Sequence, residues 1–310
     1  MISSMSNFSA SVNGPVRVGF VGVGLMGHGL AKHALAAGHA VRLMLRSDED
    51  RRRCEDLLQA GALGVARCDA LAEQCDVVVV CVTGSPQVED AVLGATGLVH
   101  GLRRGATVVD CSTALPDSTR RIGEALAARG IDFLDAAMTG TPKEAEAGEI
   151  NLLVGGEAAV LERVRPVLRC FAKNIYACGA LGAGHTVKLL HQFVVLSNAA
   201  VLAEAYACAS KTGVDTAVLG EVIGSGGANS TAFQRLRAYV DEGDDTGFRF
   251  SLANALKDMR YYTQMMANAQ VVAGIAGAVH ASYTVANNAG LADRFVPHLV
   301  DSVRRMNGAG

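Results

Sequence analysis

The sequence predicts an α/β fold in which a doubly wound sheet is followed by an all-helical C-terminal domain, the two joined by a long helix. Short apolar runs alternate with helical stretches through residues 15–180. A glycine-rich turn follows the first of these runs, and after Gly182 the pattern is helical almost to the end. The predicted domains are therefore residues 15–180 and 181–310, preceded by a disordered tail at residues 1–14.

Composition excludes several classes of protein. A net charge of −2 without a basic stripe argues against a nucleic-acid partner. The eight cysteines form no CxxC pair and no His/Cys cluster with metal-ligand spacing, so we expect buried thiols, no metal site and a cytoplasmic location. The leader lacks a signal-peptide pattern, and no apolar run is long and uninterrupted enough to predict a membrane span.

The first strand, residues 16–21, leads directly into a GxGxxG turn and then an Ala/Leu-rich helix. In this context the first glycine permits the turn, the second lets the backbone approach a pyrophosphate, and the third lets helix and strand pack closely. The phosphates would lie at the helix N-terminus, where free N–H groups favour anions. The pattern predicts a Rossmann-type dinucleotide site, whose candidate residues are Gly22, Gly24, Leu25, Met26 and Gly27.

The second strand, residues 40–45, ends at the position from which NAD-binding proteins offer an acidic residue to the ribose. This chain has Arg46 and Ser47 there. A guanidinium and a hydroxyl suit a 2′-phosphate better than a diol, so NADP(H) is the predicted cofactor. Asp48 follows closely, which leaves NAD(H) possible.

Two further strands end in polar residues. Residues 76–82 form a continuous apolar run, as expected of a central parallel strand covered on both faces, and residues 106–110 form the next strand. Ligands collect at the carboxyl ends of such strands. The alternative reading is ordinary turn and capping residues. The candidates at these two ends are Val82, Thr83, Ser112 and Thr113.

The next strand, residues 130–135, is followed by a loop containing Thr139, Gly140 and Thr141. Small hydroxyl residues beside a glycine leave backbone N–H groups free to hold an anion, so this loop is a candidate anchor for a carboxylate. The last predicted strands are residues 150–156 and 173–178.

The long helix carries a single formally charged side chain, Lys188, between residues 184 and 203. Burying an ammonium is costly unless the group is paired or has a task, so Lys188 is a candidate catalytic residue. His191 and Gln192 follow at i+3 and i+4, on the same predicted face. The alternative is a lysine whose ammonium reaches solvent near the start of the helix.

Five motifs in order resemble the β-hydroxyacid dehydrogenases, the 3-hydroxyisobutyrate dehydrogenase-like family, from Arg17 to about Asp301. They are residues 19–27, 110–113, 135–148, 182–188 and 250–258. The resemblance implies that Lys188 is the general acid/base, that Thr139-Gly140-Thr141 holds the substrate carboxylate and that Lys257 lies near the nicotinamide. Asp258, directly after Lys257 on a helix, is not expected to face it.

Two departures from the family pattern concern substrate binding. His191 and Gln192 stand where the family usually has two asparagines, and Thr139-Gly140-Thr141 stands where it usually has Ser-Gly-Gly. The resemblance therefore implies hydride transfer on a small 3-hydroxy acid or aldehyde acid, with His191, Gln192 and Ser112 contacting the substrate. Two alternative functions stay open: an imine or other carbonyl reductase, and a non-catalytic NADP-binding scaffold. The helical C-terminal half has more apolar surface than one small domain easily buries. We therefore expect the protein to form a homodimer or tetramer.

Overall fold

The computed structural model of the protein describes residues 14–308. The predicted disordered tail, apart from its last residue, lies outside the described residues. The chain forms two compact units, one ending at His185 and the other beginning at Thr186, where the sequence placed the boundary after residue 180. We call them the sheet unit and the helical unit.

The sheet unit contains one eight-stranded sheet in the order β3-β2-β1-β4-β5-β6-β7-β8. Every neighbouring pair is parallel except β6 and β7, which are antiparallel. The order of the first six strands reverses between β1 and β4, the switch point at which doubly wound sheets bind dinucleotides. The strands are β1 Arg17–Val21, β2 Ala40–Met44, β3 Leu63–Val65, β4 Val77–Val80, β5 Thr107–Asp110, β6 Asp132–Thr139, β7 Ile150–Gly155 and β8 Ala172–Gly179.

Helices connect these strands and cover both faces of the sheet. They are α1 Gly27–Ala36, α2 Asp48–Arg53, α3 Glu55–Gln59, α4 Cys68–Ala72, α5 Ser85–Leu93, α6 Pro116–Ala127, α7 Pro142–Ala147 and α8 Ala158–Arg169. Strand β4 shows the arrangement directly. Val77 and Val79 belong to one buried apolar cluster, whereas Val78 and Val80 belong to the other. A strand buried on both faces has no polar side, which explains its uninterrupted valine run.

The predicted Rossmann-type fold is confirmed, with two local differences. Strand β6 continues to Thr139, four residues past the predicted end, so this threonine lies on a strand instead of in a loop. The short edge strand β3 was not predicted, because its residues Leu63–Val65 include a glycine and are exposed or half-buried. Neither difference changes which strand ends meet at the switch point.

The helical unit is built from the end of the chain, as the sequence predicted. Its helices are α9 Ala183–Thr212, which begins within the sheet unit, α10 Thr216–Ser225, α11 Thr231–Glu242, α12 Leu252–Asn268, α13 Gly274–Ala286 and α14 Leu299–Met306. The sequence did not predict the break between α12 and α13, where Gln270 has a positive φ of 55°. A π-helical turn, Asn287–Leu291, follows α13.

Helix α9 is a partly buried core helix of the helical unit. The hydroxyl of Tyr283 donates to the Leu196 carbonyl at 3.0 Å, and the rings of Phe193 and Tyr262 stack with centroids 4.4 Å apart. By length and composition alone, α9 could cross a membrane, with a mean hydropathy of 1.5 over its most apolar window, of which 44% is buried. Core helices of soluble proteins have the same length and composition, so this property is weak evidence for a span.

Candidate active site

The three glycines of the GxGxxG turn have different surroundings. Gly22 has a φ of +92°, and a Cβ there would lie 2.1 Å from the Cys81 carbonyl oxygen. A Cβ on Gly27 would lie 2.0 Å from the Gly22 carbonyl oxygen. A Cβ on Gly24, in contrast, would meet nothing within 4 Å. The first and third glycines therefore shape the turn, and the second leaves backbone open to an approaching ligand.

The remaining residues of the turn lead into the N-terminus of α1. Leu25 is 72% exposed at the tip of the turn, and Met26 packs partly against the core. Met26 precedes α1 without a side-chain hydrogen bond to the helix, and the first turn of α1 contains no acidic residue. The N-terminus of α1 thus follows the open backbone at Gly24 closely in the chain, and its dipole favours an anion such as a pyrophosphate.

Arg46 and Ser47 lie exposed just after β2, as predicted. The Ser47 hydroxyl accepts from the Asp50 N–H at 3.1 Å and caps α2, and this leaves its own hydrogen for a ligand. The Arg46 N–H donates to the Asp50 carboxylate at 3.1 Å. Asp50 is also in contact with Arg53 at 3.7 Å. Both predicted side chains can therefore reach an anion.

The two strand ends predicted to contact ligands are joined to each other. The Val82 N–H donates to the Ser112 hydroxyl at 3.0 Å, and the Ser112 N–H donates to the Asp110 carboxylate at 2.9 Å. Ser112 is buried, whereas Thr83 is exposed and Thr113 half-buried. Ser112 thus fixes the ends of β4 and β5 together. Its side chain has a structural function that the sequence did not predict.

A buried charged cluster lies behind these strand ends. The Asp135 carboxylate accepts from the N–H groups of Gly182 and His185, each at 2.7 Å, and so caps the start of α9. The His185 ring contacts the Thr119 hydroxyl at 2.7 Å and lies 3.8 Å from the Asp110 carboxylate. Burial raises the pKa of Asp110, although the His185 charge opposes this.

The first turn of α9 needs glycine because it lies directly on the sheet. A Cβ on Gly184 would lie 2.2 Å from the Leu153 carbonyl oxygen and 2.9 Å from the Asp135 carboxylate. Gly182 has a φ of +92°, which is costly for other residues. The Gly-Ala-Gly motif is therefore explained by close approach and backbone conformation within the sheet unit.

The two hydroxyls of the predicted anchor loop have different partners. Thr141 caps α7: its hydroxyl donates to the Glu144 carboxylate and accepts from the Lys143 N–H at 3.2 Å. Thr139, on β6, accepts from the Asn151 amide at 3.1 Å. Gly140 between them is exposed with a φ of +122°. Thr139 and Gly140 thus stay available to a ligand, while Thr141 is committed to its helix.

Lys188 is buried in the helical unit, with 9% of its surface exposed. Burial lowers its pKa to about 8, the charge of Asp258 raises it, and the charge of Lys257 lowers it further. Gln192, also buried, donates from its amide to the Asp258 carboxylate at 2.7 Å. The sequence predicted a polar face on α9 that includes Lys188 and Gln192. It did not predict Asp258, which interacts with both of these buried residues.

Lys257 has a partner that was not expected, and His191 lies at the surface. The Lys257 Nζ lies 3.0 Å from Asp258 Oδ1, so the lysine bends back and pairs with its neighbour, which was predicted not to face it. It also lies 5.4 Å from the centre of the Tyr261 ring. His191 is at the surface with its ring partly covered, and that burial, followed by the Lys188 charge, lowers its pKa. Its Nδ1 is 3.4 Å from the Gln192 side-chain oxygen.

Two family models match consecutive parts of the chain. Residues 17–179 match the family described as the NAD-binding domain of 6-phosphogluconate dehydrogenase. Residues 182–301 match the family described as the NAD-binding domain of NADP-dependent 3-hydroxyisobutyrate dehydrogenase. The chain belongs to the β-hydroxyacid dehydrogenase family.

Named members of this family are similar over most of their length. A 2-hydroxy-3-oxopropionate reductase of Escherichia coli K12 is 33% identical over 215 residues, 69% of this chain and 72% of its own. A 3-hydroxyisobutyrate dehydrogenase of Pseudomonas aeruginosa is 33% identical over 244 residues, 76% of this chain and 79% of its own. A crystal structure named 3-hydroxyisobutyrate dehydrogenase, from Salmonella typhimurium, has a TM-score of 0.81 at 29% identity and covers 92% of this chain and 99% of its own.

Membership of the β-hydroxyacid dehydrogenase family makes this protein a nicotinamide-dependent oxidoreductase, and its reaction class is hydride transfer on a small hydroxy acid.

Within residues 14–308, no group of three His, Cys, Asp or Glu side chains could hold a metal ion. All eight cysteines are free; Cys208 is exposed, contrary to the expectation that the thiols are buried.

Proposed function

We propose that this β-hydroxyacid dehydrogenase prefers NADP(H) and interconverts a small 3-hydroxy acid and its aldehyde acid, with Lys188 as the general acid/base. The observation that carries the proposal is the buried lysine whose pKa burial lowers to about 8. A group that titrates near the working pH can both accept and donate a proton efficiently.

In oxidation, the neutral amine of Lys188 accepts the proton of the substrate hydroxyl. In reduction, its ammonium donates a proton to the carbonyl oxygen. The nicotinamide, when bound, accepts or supplies the hydride. Asp258 limits the fall of the lysine pKa, and Gln192 holds that carboxylate in place by its hydrogen bond of 2.7 Å. Of the two residues at the asparagine positions, His191 is then the one free to contact substrate.

Three features of the sheet unit support the cofactor and substrate class. The backbone at Gly24 is open to a pyrophosphate. Arg46 and the Ser47 hydroxyl offer a charge and a donor to a 2′-phosphate. Thr139 and Gly140 offer a hydroxyl and a backbone N–H to a carboxylate.

The test is an absorbance assay at the reduced-nicotinamide band, with NADPH or NADH and a panel of small aldehyde acids. We compare the wild type with Lys188→Ala and with Lys211→Ala, an exposed lysine on the same helix. The proposal expects turnover that prefers NADPH and is lost only in Lys188→Ala, which still binds NADPH. Binding without turnover across the panel, or turnover only with imines, would contradict it.

We also propose that the helical unit forms the contact in a homodimer or tetramer. Large apolar side chains are exposed along α9, α10 and α13: Leu190, Val194 and Val201 on the first, Val218 and Val222 on the second, and Ile275 and Val285 on the third. Exposed apolar surface of this kind usually marks an interface. Light scattering at micromolar concentration tests this, and a monomeric mass would contradict it.

A further inference from the structure

Three polar side chains lie next to each other across the last three strands of the sheet. Thr139 on β6 is the register partner of Asn151 on β7, and Asn151 is the register partner of Asn174 on β8. Directly opposed residues of neighbouring strands extend to the same face of a sheet. We call Asn174, Asn151 and Thr139 the amide ladder. Neither asparagine was predicted as a site residue.

The hydrogen bonds of the amide ladder run in one direction. The Asn174 Nδ2 donates to the Asn151 Oδ1 at 2.8 Å, and the Asn151 Nδ2 donates to the Thr139 Oγ1 at 3.1 Å. An amide oxygen only accepts and an amide nitrogen only donates. In this arrangement the Asn151 oxygen is paired with Asn174 and its nitrogen faces the threonine, so Thr139 receives a hydrogen bond from it.

This direction leaves the Thr139 hydrogen for another acceptor. A hydroxyl has one hydrogen, and because its oxygen accepts from Asn151, the hydrogen turns elsewhere. Within the described part of the chain, the Thr139 hydroxyl makes its hydrogen bond with Asn151 and donates to no other group. The neighbouring Thr141 hydroxyl donates to Glu144. Of the two hydroxyls in the proposed anchor, Thr139 alone has a hydrogen to offer.

We propose that the amide ladder orients Thr139 as the donor to the substrate carboxylate, with Asn151 as a positioning residue and Asn174 as the residue that orients it. This inference rests on the proposed function, in which Thr139 and Gly140 hold that carboxylate. A hydrogen bond to an ionised acceptor is about twice as strong as one between neutral groups. The ladder thus favours anionic substrates over neutral aldehydes of the same size.

Asn151→Asp tests the proposal because it keeps the size of the side chain and replaces the donor by an acceptor. Thr139 then donates its hydrogen to the new carboxylate and loses it for the substrate. We expect the KM for the aldehyde acid to rise about tenfold or more, the range for losing a hydrogen bond to a charged group. The KM for a neutral aldehyde and the affinity for NADPH should stay within about twofold of wild type.

A double-mutant cycle with Thr139→Val separates orientation from charge repulsion. If Asn151 acts through Thr139, Asn151→Asp adds little to the KM in the Thr139→Val background. A full additional rise there would show direct repulsion of the substrate and overturn the inference.

The outcomes distinguish the inference from the function on which it rests. A raised KM in Thr139→Val with no change in Asn151→Asp overturns the ladder and leaves the carboxylate anchor in place. An unchanged KM in Thr139→Val overturns the anchor itself. Asn174 is exposed. If Asn151→Asp does not fold, Asn174→Asp therefore supplies the same test with a smaller expected rise in KM.

Discussion

The sheet unit and the helical unit hold their polar groups in different ways. In the sheet unit the candidate groups are backbone and side chains at strand ends and in a tight turn, and most keep a face open to a ligand, as Gly24 does. In the helical unit, Lys188, Gln192 and Asp258 are buried; Gln192 is hydrogen-bonded to Asp258, and the Asp258 charge acts on Lys188. The first arrangement is suited to binding. The second is suited to setting the proton affinity of one group, because burial makes charges interact strongly.

Lys188→Met should have the largest effect of these variants. It should lower the activity and raise the stability of the folded protein. Without its proton acceptor, kcat should fall by about 10²–10⁴-fold. A pKa lowered from 10.5 to about 8 costs the folded state about 3 kcal/mol at neutral pH, at about 1.36 kcal/mol per unit, so the variant should be more stable there. Asp258 keeps Lys257 as its partner in the variant.

The stability gain of Lys188→Met should depend on pH. The unfolded chain binds the lysine proton more tightly than the folded one, so the wild type gains stability as the pH rises from about 8 to about 10.5. The advantage of the variant therefore shrinks across that window. Urea unfolding at pH 7 and pH 10 measures it, with the exposed Lys211→Met as control. A variant less stable than wild type at pH 7 would show that Lys188, together with Gln192 and Asp258, has a structural role.

Arg46→Asp tests the binding arrangement of the sheet unit. We expect the affinity for NADPH to fall about 10- to 100-fold and that for NADH to change little, because a bidentate charged contact to the 2′-phosphate is lost. Fluorescence titration with both cofactors measures this. Arg52→Asp on α2, which is exposed and makes the same change in net charge, is the matched control. Equal losses for the two cofactors would show that the phosphate binds elsewhere.

The contrast between the units also explains what the sequence could predict. The glycine turn, the valine-rich β4 and the lysine in α9 are local patterns, and each was found where the structure has it. Asp135 and Asp258 were not singled out, because the hydrogen bonds that give them a function link residues 50 and 66 positions apart. The extension of β6 to Thr139 has a similar cause, since its last residues pair with β7, later in the chain.

Some predicted site residues also have structural partners that the sequence did not reveal. Ser112 and Thr141 are hydroxyl residues at the predicted positions, yet one joins two strands and the other caps a helix. A sequence shows that a hydroxyl is present but not which partner takes its hydrogen. The same holds for Gln192, whose amide binds Asp258 in the structure.

Two alanine substitutions in the glycine turn should have separable effects. Gly27→Ala places a methyl group 2.0 Å from a carbonyl oxygen and should destabilise the protein by about 1–3 kcal/mol. Gly24→Ala meets nothing within 4 Å, so its stability should stay within about 0.5 kcal/mol while cofactor affinity falls. Thermal unfolding and cofactor titration of both variants give the comparison. A destabilised Gly24→Ala with normal cofactor affinity would contradict the role of the second glycine.

Asp258→Asn has the smallest expected effect and tests the helical unit directly. The Asp258 charge raises the pKa of Lys188, and burial and Lys257 lower it, so removing the carboxylate should lower that pKa below about 8. Oxidation requires the neutral amine, so its rate increases as the pH rises through this pKa. The midpoint of the pH–rate profile should therefore move to lower pH, by about one unit. Asp241→Asn, an exposed carboxylate on α11, should leave the midpoint in place. A midpoint that stays or rises in Asp258→Asn would mean that the buried carboxylate does not set the proton affinity of the lysine. The helical unit would then not differ from the sheet unit in tuning the proton affinity of one group.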